Sequence, residues 1–171
     1  IGVTGAIIIL ISAFSAIVSG GGAPLAAIAL GQGDRKRAGQ TLGNGFVLLL
    51  IFTLLTTTLT YLFMEPLLMF TGASENTVGY AKDYLSIYLL GTLFVETSVG
   101  LNTFINTQGR PAIAMYSVLI GAVLNIILDP IFIFVMGMGV RGAALATVIS
   151  QACSALWIVS FLTSKRASLR L

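Results

Sequence analysis

The sequence predicts an all-α protein, a polytopic bundle of about five membrane-spanning helices. Three observations carry this prediction. The chain is 57% hydrophobic and 9% charged, against about 25% charged in an ordinary soluble domain. A water-soluble core of this size needs far more polar surface to cover it. The apolar residues also gather into long blocks parted by short polar clusters, and each block exceeds the ~20 residues that cross a ~30 Å hydrocarbon layer. Transmembrane β-strands would instead alternate polar and apolar residues in segments of about ten.

The first block covers 5–30. It lacks a basic start and a small-residue cleavage site, so it does not read as a signal peptide. The chain opens in mid-helix at Ile1-Gly2-Val3 and is expected to be a piece of a longer protein. Gly20-Gly21-Gly22 lacks the lysine and the Ser/Thr of a phosphate loop; late in a membrane helix, such small residues allow close helix packing. The second block, 41–64, carries Thr56, Thr57, Thr58 and Thr60, whose hydroxyls are expected to bond back to their own helix.

The third block, 84–106, has Tyr84 and Tyr88 at its start, Glu96 near its middle, and Ser98, Asn102 and Asn106 beyond. The fourth, 112–136, contains Asn125, Asp129 and Pro130. The hexapeptide Gly137-Met138-Gly139-Val140-Arg141-Gly142 matches the dinucleotide fingerprint in letters only, since no strand precedes it and a membrane helix follows. A tight turn, with glycine supplying positive φ, fits better. The fifth block, 142–163, holds Thr147 and the lone Cys153, which reads as a small packing residue.

Charge orients the bundle. Arg35, Lys36, Arg37, Arg110, Lys165, Arg166 and Arg170 fall on one side, and only Lys82 and Arg141 on the other. The positive-inside rule makes the loops near 31–40 and 107–111 and the C-terminal tail cytoplasmic. The sequence pI near 9.3 then reflects basic loops facing anionic lipid headgroups. A nucleic-acid partner is not expected, because the basic residues are dispersed and lack aromatic interleaving. With no histidine in the chain, histidine-based zinc sites and catalytic triads are excluded within it. Glu96 and Asp129 sit on separate helices at a spacing that does not argue for paired-carboxylate hydrolysis. No enzyme activity and no cofactor are expected.

The polar residues inside the apolar blocks remain. An ionised aspartate at a membrane helix centre costs roughly 2.5–3.5 kcal/mol on insertion scales. Asn125 and Asp129 are four apart and share a helix face. Pro130 has no amide hydrogen, so the Ile126 carbonyl is freed and a local kink is expected. An amide, a carboxylate and a free carbonyl suit a small cation or a transferable proton. In the alternative reading Asn125 holds helices together and Asp129 caps a helix break. Asp129 lies ~10 Å below the outer end of its helix, and Thr147 ~8 Å below that of the next. The short turn makes these helices antiparallel neighbours, so Thr147 can reach the cluster. Tyr84 and Tyr88 enter at similar depth, where an interfacial aromatic belt is an equally good reading. Burial of Glu96 favours its neutral form and a place, with Asn102, in a cavity that receives a cationic substrate. A hydrogen-bonded packing role is the even alternative.

Leu124-Asn-Ile-Ile-Leu-Asp-Pro-Ile-Phe-Ile-Phe134 followed by Gly142-Ala-Ala-Leu-Ala-Thr-Val-Ile-Ser-Gln151 resembles the fifth and sixth helices of multidrug and toxic compound extrusion (MATE) transporters. Gly22-Ala-Pro-Leu25 through Gly31-Gln-Gly-Asp34 resembles the end of their second helix and the loop after it. Ile105-Asn-Thr-Gln-Gly-Arg-Pro111 resembles their fourth-to-fifth connection. The resemblance implies a twelve-helix antiporter of two lobes, in which residues 1–171 supply helices two to six, while the first helix and the C-terminal lobe lie outside the chain. It places the family's cation network on Asp129, Asn125 and Thr147, with Tyr84 as a further member, and adds a carboxylate on the first helix. It also implies a bacterial-type plasma membrane.

The leading expectation is therefore a secondary active exporter of organic cations or amphipathic compounds. H+ or Na+ would serve as the coupling ion, and Na+ at Asp129 would be the one metal bound. A second reading keeps the superfamily but makes it a flippase of lipid-linked saccharides, whose anionic headgroups call for cationic cavity side chains that this chain lacks. A third is a non-functional truncated fragment or a membrane scaffold.

Overall fold

The computed structural model describes residues 2–171, which are helical throughout apart from short connections. Five helices are long and apolar enough to cross a bilayer: α1 (Val3–Gly31), α2 (Arg35–Leu62), α4 (Val78–Thr107), α5 (Pro111–Val135) and α6 (Gly139–Thr163). A short helix, α3 (Met64–Phe70), lies between α2 and α4. The five-helix architecture expected from the sequence is the one observed.

Several boundaries differ from those read in the sequence. Helix α2 starts at Arg35 rather than 41 because the Asp34 carboxylate caps it, Oδ1 accepting from the Arg37 amide at 2.9 Å; capping satisfies an otherwise orphaned N–H. Helix α4 starts at Val78 rather than 84. The charges that mimic a loop there are paired across its face: Lys82 to Glu65 of α3 at 2.7 Å, and Asp83 to Arg141 of α6 at 2.9 Å. Helix α3 escapes notice in the sequence because its apolar residues run on from α2. Met64 and Leu68 bury one face of it against Leu85 and Leu89 of α4 and Ile7 and Ile11 of α1.

Both prolines inside spans are absorbed by wide π-type turns. Val18–Gly22 precedes Pro24 in α1, and Ile131–Val135 follows Pro130 in α5. Pro130 keeps α-helical angles (φ −63°, ψ −32°), so the proline opens the following turn while the helix continues through it. The glycine run is part of the first wide turn. Only Gly22 has a close neighbour, the Phe104 ring, 2.8 Å from where a Cβ would stand; the spaces beside Gly20 and Gly21 are open.

Helix α4 forms the axis. In its most apolar stretch 67% of residues are buried, against 6% in α5. Leu101, Phe104 and Ile105 of α4 pack with Leu42 and Leu49 of α2 and Ile158 and Leu162 of α6 at the basic end. Tyr84, Tyr88 and Val95 of α4 meet Ala144 of α6 toward the other end. Small residues set the closest approaches. A Cβ at Gly91 would collide with all three side-chain carbons of Val148, so α4 and α6 touch nearly backbone to side chain. Polar struts reinforce the packing: Asn102 Nδ2 donates to the Ala114 carbonyl at 3.0 Å, and Ser154 Oγ donates to that of Ser117 at 2.7 Å.

The α5–α6 connection is the tight turn expected. Gly137 and Gly139 have φ of +63° and +55°, which only glycine adopts without cost. Gly142 lies directly on the Phe132 backbone, 2.8 Å from its carbonyl oxygen at the virtual Cβ. The hairpin is therefore welded at its tip.

Candidate functional site

Asn125 and Asp129 occupy consecutive turns on the half-buried face of α5. Asn125 Nδ2 and Asp129 Oδ1 are buried without any hydrogen-bond partner. A buried polar atom without a partner costs about 1–3 kcal/mol, more when charged, so two together on one face make this a candidate site.

Thr147 and Tyr84 complete the cluster from α6 and α4. Thr147 Oγ1 donates to the Ala143 carbonyl at 3.0 Å, and Tyr84 lies near both Thr147 and Asp129. Tyr84 is 8% exposed and stacks on Tyr88 with ring centroids 6.0 Å apart. Neither ring belongs to an interfacial belt: both point into the bundle. The earlier start of α4 accounts for this, since it carries Tyr84 about two turns inside the helix.

A cavity of about 450 Å³ between α4, α5 and α6 has Asn125 and Thr147 in its lining, with Asn102, Ser98, Ser150 and Gln151 further along. Ser150 Oγ is a further buried polar atom without a partner, as is Thr57 Oγ1 of α2, which does not bond back to its own helix as expected. These α6 residues were not singled out from the sequence, although Thr147, Ser150, Gln151 and Ser154 stand at helical spacing in an apolar run. Asn102 lines the cavity, with its amide nitrogen held by the α4–α5 strut.

Glu96 stands elsewhere. It is 2% exposed, points at α1 and accepts hydrogen bonds from Ser12, at 3.0 Å, and from Ser15. It is not part of the cavity lining. A serine pair one turn apart on α1 thus meets the Glu96 carboxylate.

The donor set limits what the Asp129 cluster can hold. Among the described residues no three His, Cys, Asp or Glu side chains gather as a metal site. One carboxylate with an amide, a threonine and a tyrosine offers hard oxygens and a single negative charge. That balances one monovalent cation or one proton, whereas a divalent ion favours more carboxylates. Rotating the Asn125 amide exchanges Nδ2 for Oδ1 at the same point, so it can face a carboxylate or a cation.

The MatE family model matches residues 1–131. The chain belongs to the MatE family. It is similar to the multidrug export protein MepA of Staphylococcus haemolyticus (strain JCSC1435), with 37% identity over 120 residues, 70% of this chain and 26% of the relative. The MepA protein of Staphylococcus saprophyticus is 35% identical over 122 residues, 71% of this chain and 26% of its own length. The chain thus spans about a quarter of these curated relatives. Among solved structures, MATE in the bent conformation superposes with a TM-score of 0.94 at 29% identity, covering 99% of this chain and 38% of that one. An inward-facing multidrug resistance MATE family transporter of the MOP superfamily gives 0.92 at 29% identity, over 98% and 38%. The family and fold expected from the sequence motifs are the ones found, and the relatives are named as export proteins rather than enzymes.

Proposed function

We propose that this chain is the ion-binding part of an exporter that moves organic cations or amphipathic compounds against an inward flow of H+ or Na+. The observation that carries the reading is the pair of buried, partnerless atoms on Asn125 and Asp129 beside Thr147 and Tyr84. Coupling needs an ion whose binding differs between two conformations, and a carboxylate that pays a desolvation cost until it is neutralised supplies that difference. Neutral oxygens complete the coordination, and the adjoining cavity has no lysine or arginine in its lining. That lining suits a cation better than an anionic saccharide headgroup, so nothing favours the flippase reading.

In the complete protein, a first helix and a second lobe would close the pathway around this cluster. The basic ends of the helices would face the cytoplasm, and the protein would sit in the plasma membrane. The test is Asp129→Asn in the full-length protein, reconstituted into vesicles with imposed H+ or Na+ gradients. Export of a fluorescent organic cation is expected to fall to background with normal membrane expression. Undiminished gradient-driven export by that variant sinks the proposal.

A further inference from the structure

The opposite end of the molecule carries a second arrangement, apart from the Asp129 cluster. Arg35 and Lys36 at the start of α2 converge with Lys165, Arg166 and Arg170, which follow α6, around a depression of about 540 Å³. Among the described residues the two ion pairs are Lys82–Glu65 and Arg141–Asp83, so none of these five cations has one. The acid nearest in sequence, Asp34, turns Oδ1 to the Arg37 amide. Like charges gathered without counter-ions repel one another.

The segment holding three of them is anchored. Gln108 Oε1 accepts from the Ser168 and Leu169 amides at 2.8 and 3.1 Å, and Ala167 and Leu169 are buried. The Leu171 amide donates to the Leu162 carbonyl at 3.2 Å. The backbone therefore fixes the positive cluster instead of letting it disperse into solvent.

An apolar groove of about 400 Å³ opens beside the depression, on the outside of the α5–α6 pair. Ile113, Tyr116, Trp157 and Phe161 form its walls, and Ser164 and Arg166 close its end. Arg166 thus belongs to both features. Trp157 Nε1 donates to the Ile113 carbonyl at 3.3 Å, which pins the indole along the groove. The Arg110 guanidinium lies over the Phe161 ring, 5.8 Å from its centroid, adding a further positive charge at the same end.

Charge and shape together select one kind of occupant. A soluble phosphate would fill the depression and leave the groove bare; a neutral lipid tail would fill the groove and leave the cations unmet. We infer that this end binds an anionic glycerophospholipid of the adjacent leaflet, its phosphodiester on Arg166 and the neighbouring bases and one acyl chain along Trp157 and Phe161. Basic pockets at helix ends take such headgroups, and each basic side chain contributes about fivefold in affinity. The site is independent of the Asp129 cluster and of the transport reading.

Trp157 is the chain's single tryptophan, so the emission difference between the full-length protein and its Trp157→Phe form reports on the groove alone. In vesicles of phosphatidylcholine with a small fraction of brominated lipid, brominated phosphatidylglycerol is expected to quench this signal more strongly than brominated phosphatidylcholine. Arg166→Gln should lower that preference about fivefold, Arg166→Lys should keep most of it, and Lys82→Gln at the far end should not change it. Equal quenching by the two lipids in the unaltered protein, or a preference unmoved by Arg166→Gln and by Lys165→Gln with Arg170→Gln, overturns the inference. Binding of inorganic phosphate by calorimetry, with no preference for the anionic lipid, assigns the depression to a soluble oxyanion and also removes the lipid.

Discussion

Two carboxylates lie inside this bundle, and the protein treats them in opposite ways. Glu96 is fully enclosed and meets two serine hydroxyls from α1. Asp129 is only half-buried, yet its Oδ1 meets nothing in the protein. Tyr84 and Tyr88 of α4 stack on one another, with ring centroids 6.0 Å apart. Burial alone would rank Glu96 as the site. Satisfaction of hydrogen bonds gives the opposite order, because the Glu96 carboxylate has two protein donors while Asp129 Oδ1 has none.

The largest expected effect tests that contrast directly. Asp129→Asn should remove ion-coupled export, whereas Glu96→Gln, which keeps an acceptor for a serine, should export at close to the normal rate. The reverse pattern in a side-by-side vesicle assay would break the comparison. Gly91→Val comes next. Its new side chain must push α4 away from Val148, and over-packing of this kind costs about 1–3 kcal/mol. Since Tyr84 rides on α4 and Thr147 on α6, export should fall with thermal stability, and Val148→Ala should restore both.

Glu96→Ala sharpens the other arm. It leaves Ser12 and Ser15 unmatched in a closed interface, so a stability loss of about 1–3 kcal/mol is expected, read as a lowered midpoint in a detergent melt, with ion dependence of export unchanged in the protein that remains folded. A shifted ion dependence would move Glu96 into the coupling machinery. The smallest effect is at the surface. Lys82, through its hydrogen bond and charge, holds the exposed Glu65 carboxyl below the ordinary value of 4.5. A depressed folded value means the stabilisation is present above that value and is lost as pH falls through the lower, folded one. Glu65→Gln should therefore change the melt slightly at neutral pH and not at all in strong acid; an exposed pair is largely screened.

The contrast also explains how much of the site could be read in advance. Asn125 and Asp129 were legible because a four-residue spacing within an apolar run puts both on one face whatever the helix packs against. Thr147 followed from the shortness of the Gly137–Gly139 turn. Glu96 was not legible in direction, since α4 is apolar or small on nearly every face and its rotation is set by contacts such as Gly91 on Val148. Its partners Ser12 and Ser15 look, in sequence, like any small residues of a membrane helix. Ser150, Gln151 and Ser154 share the face of Thr147 and line the same cavity, yet without a known register for α6 nothing in the sequence turned that face toward α5. The response to Pro130 was hidden for a related reason: a missing amide states that a bond is lost, and the neighbouring turns decide whether the helix bends or widens.

The glycine turn has a mechanical consequence. With Gly142 seated on the Phe132 backbone and a connection too short to slide, α5 and α6 form the two tines of a fork joined at the root. Asp129 of α5 and Thr147 of α6 thus hang from one short joint, and the close approach of α4 to α6 at Gly91 and Val148 ties the helix that carries Tyr84 to the same pair.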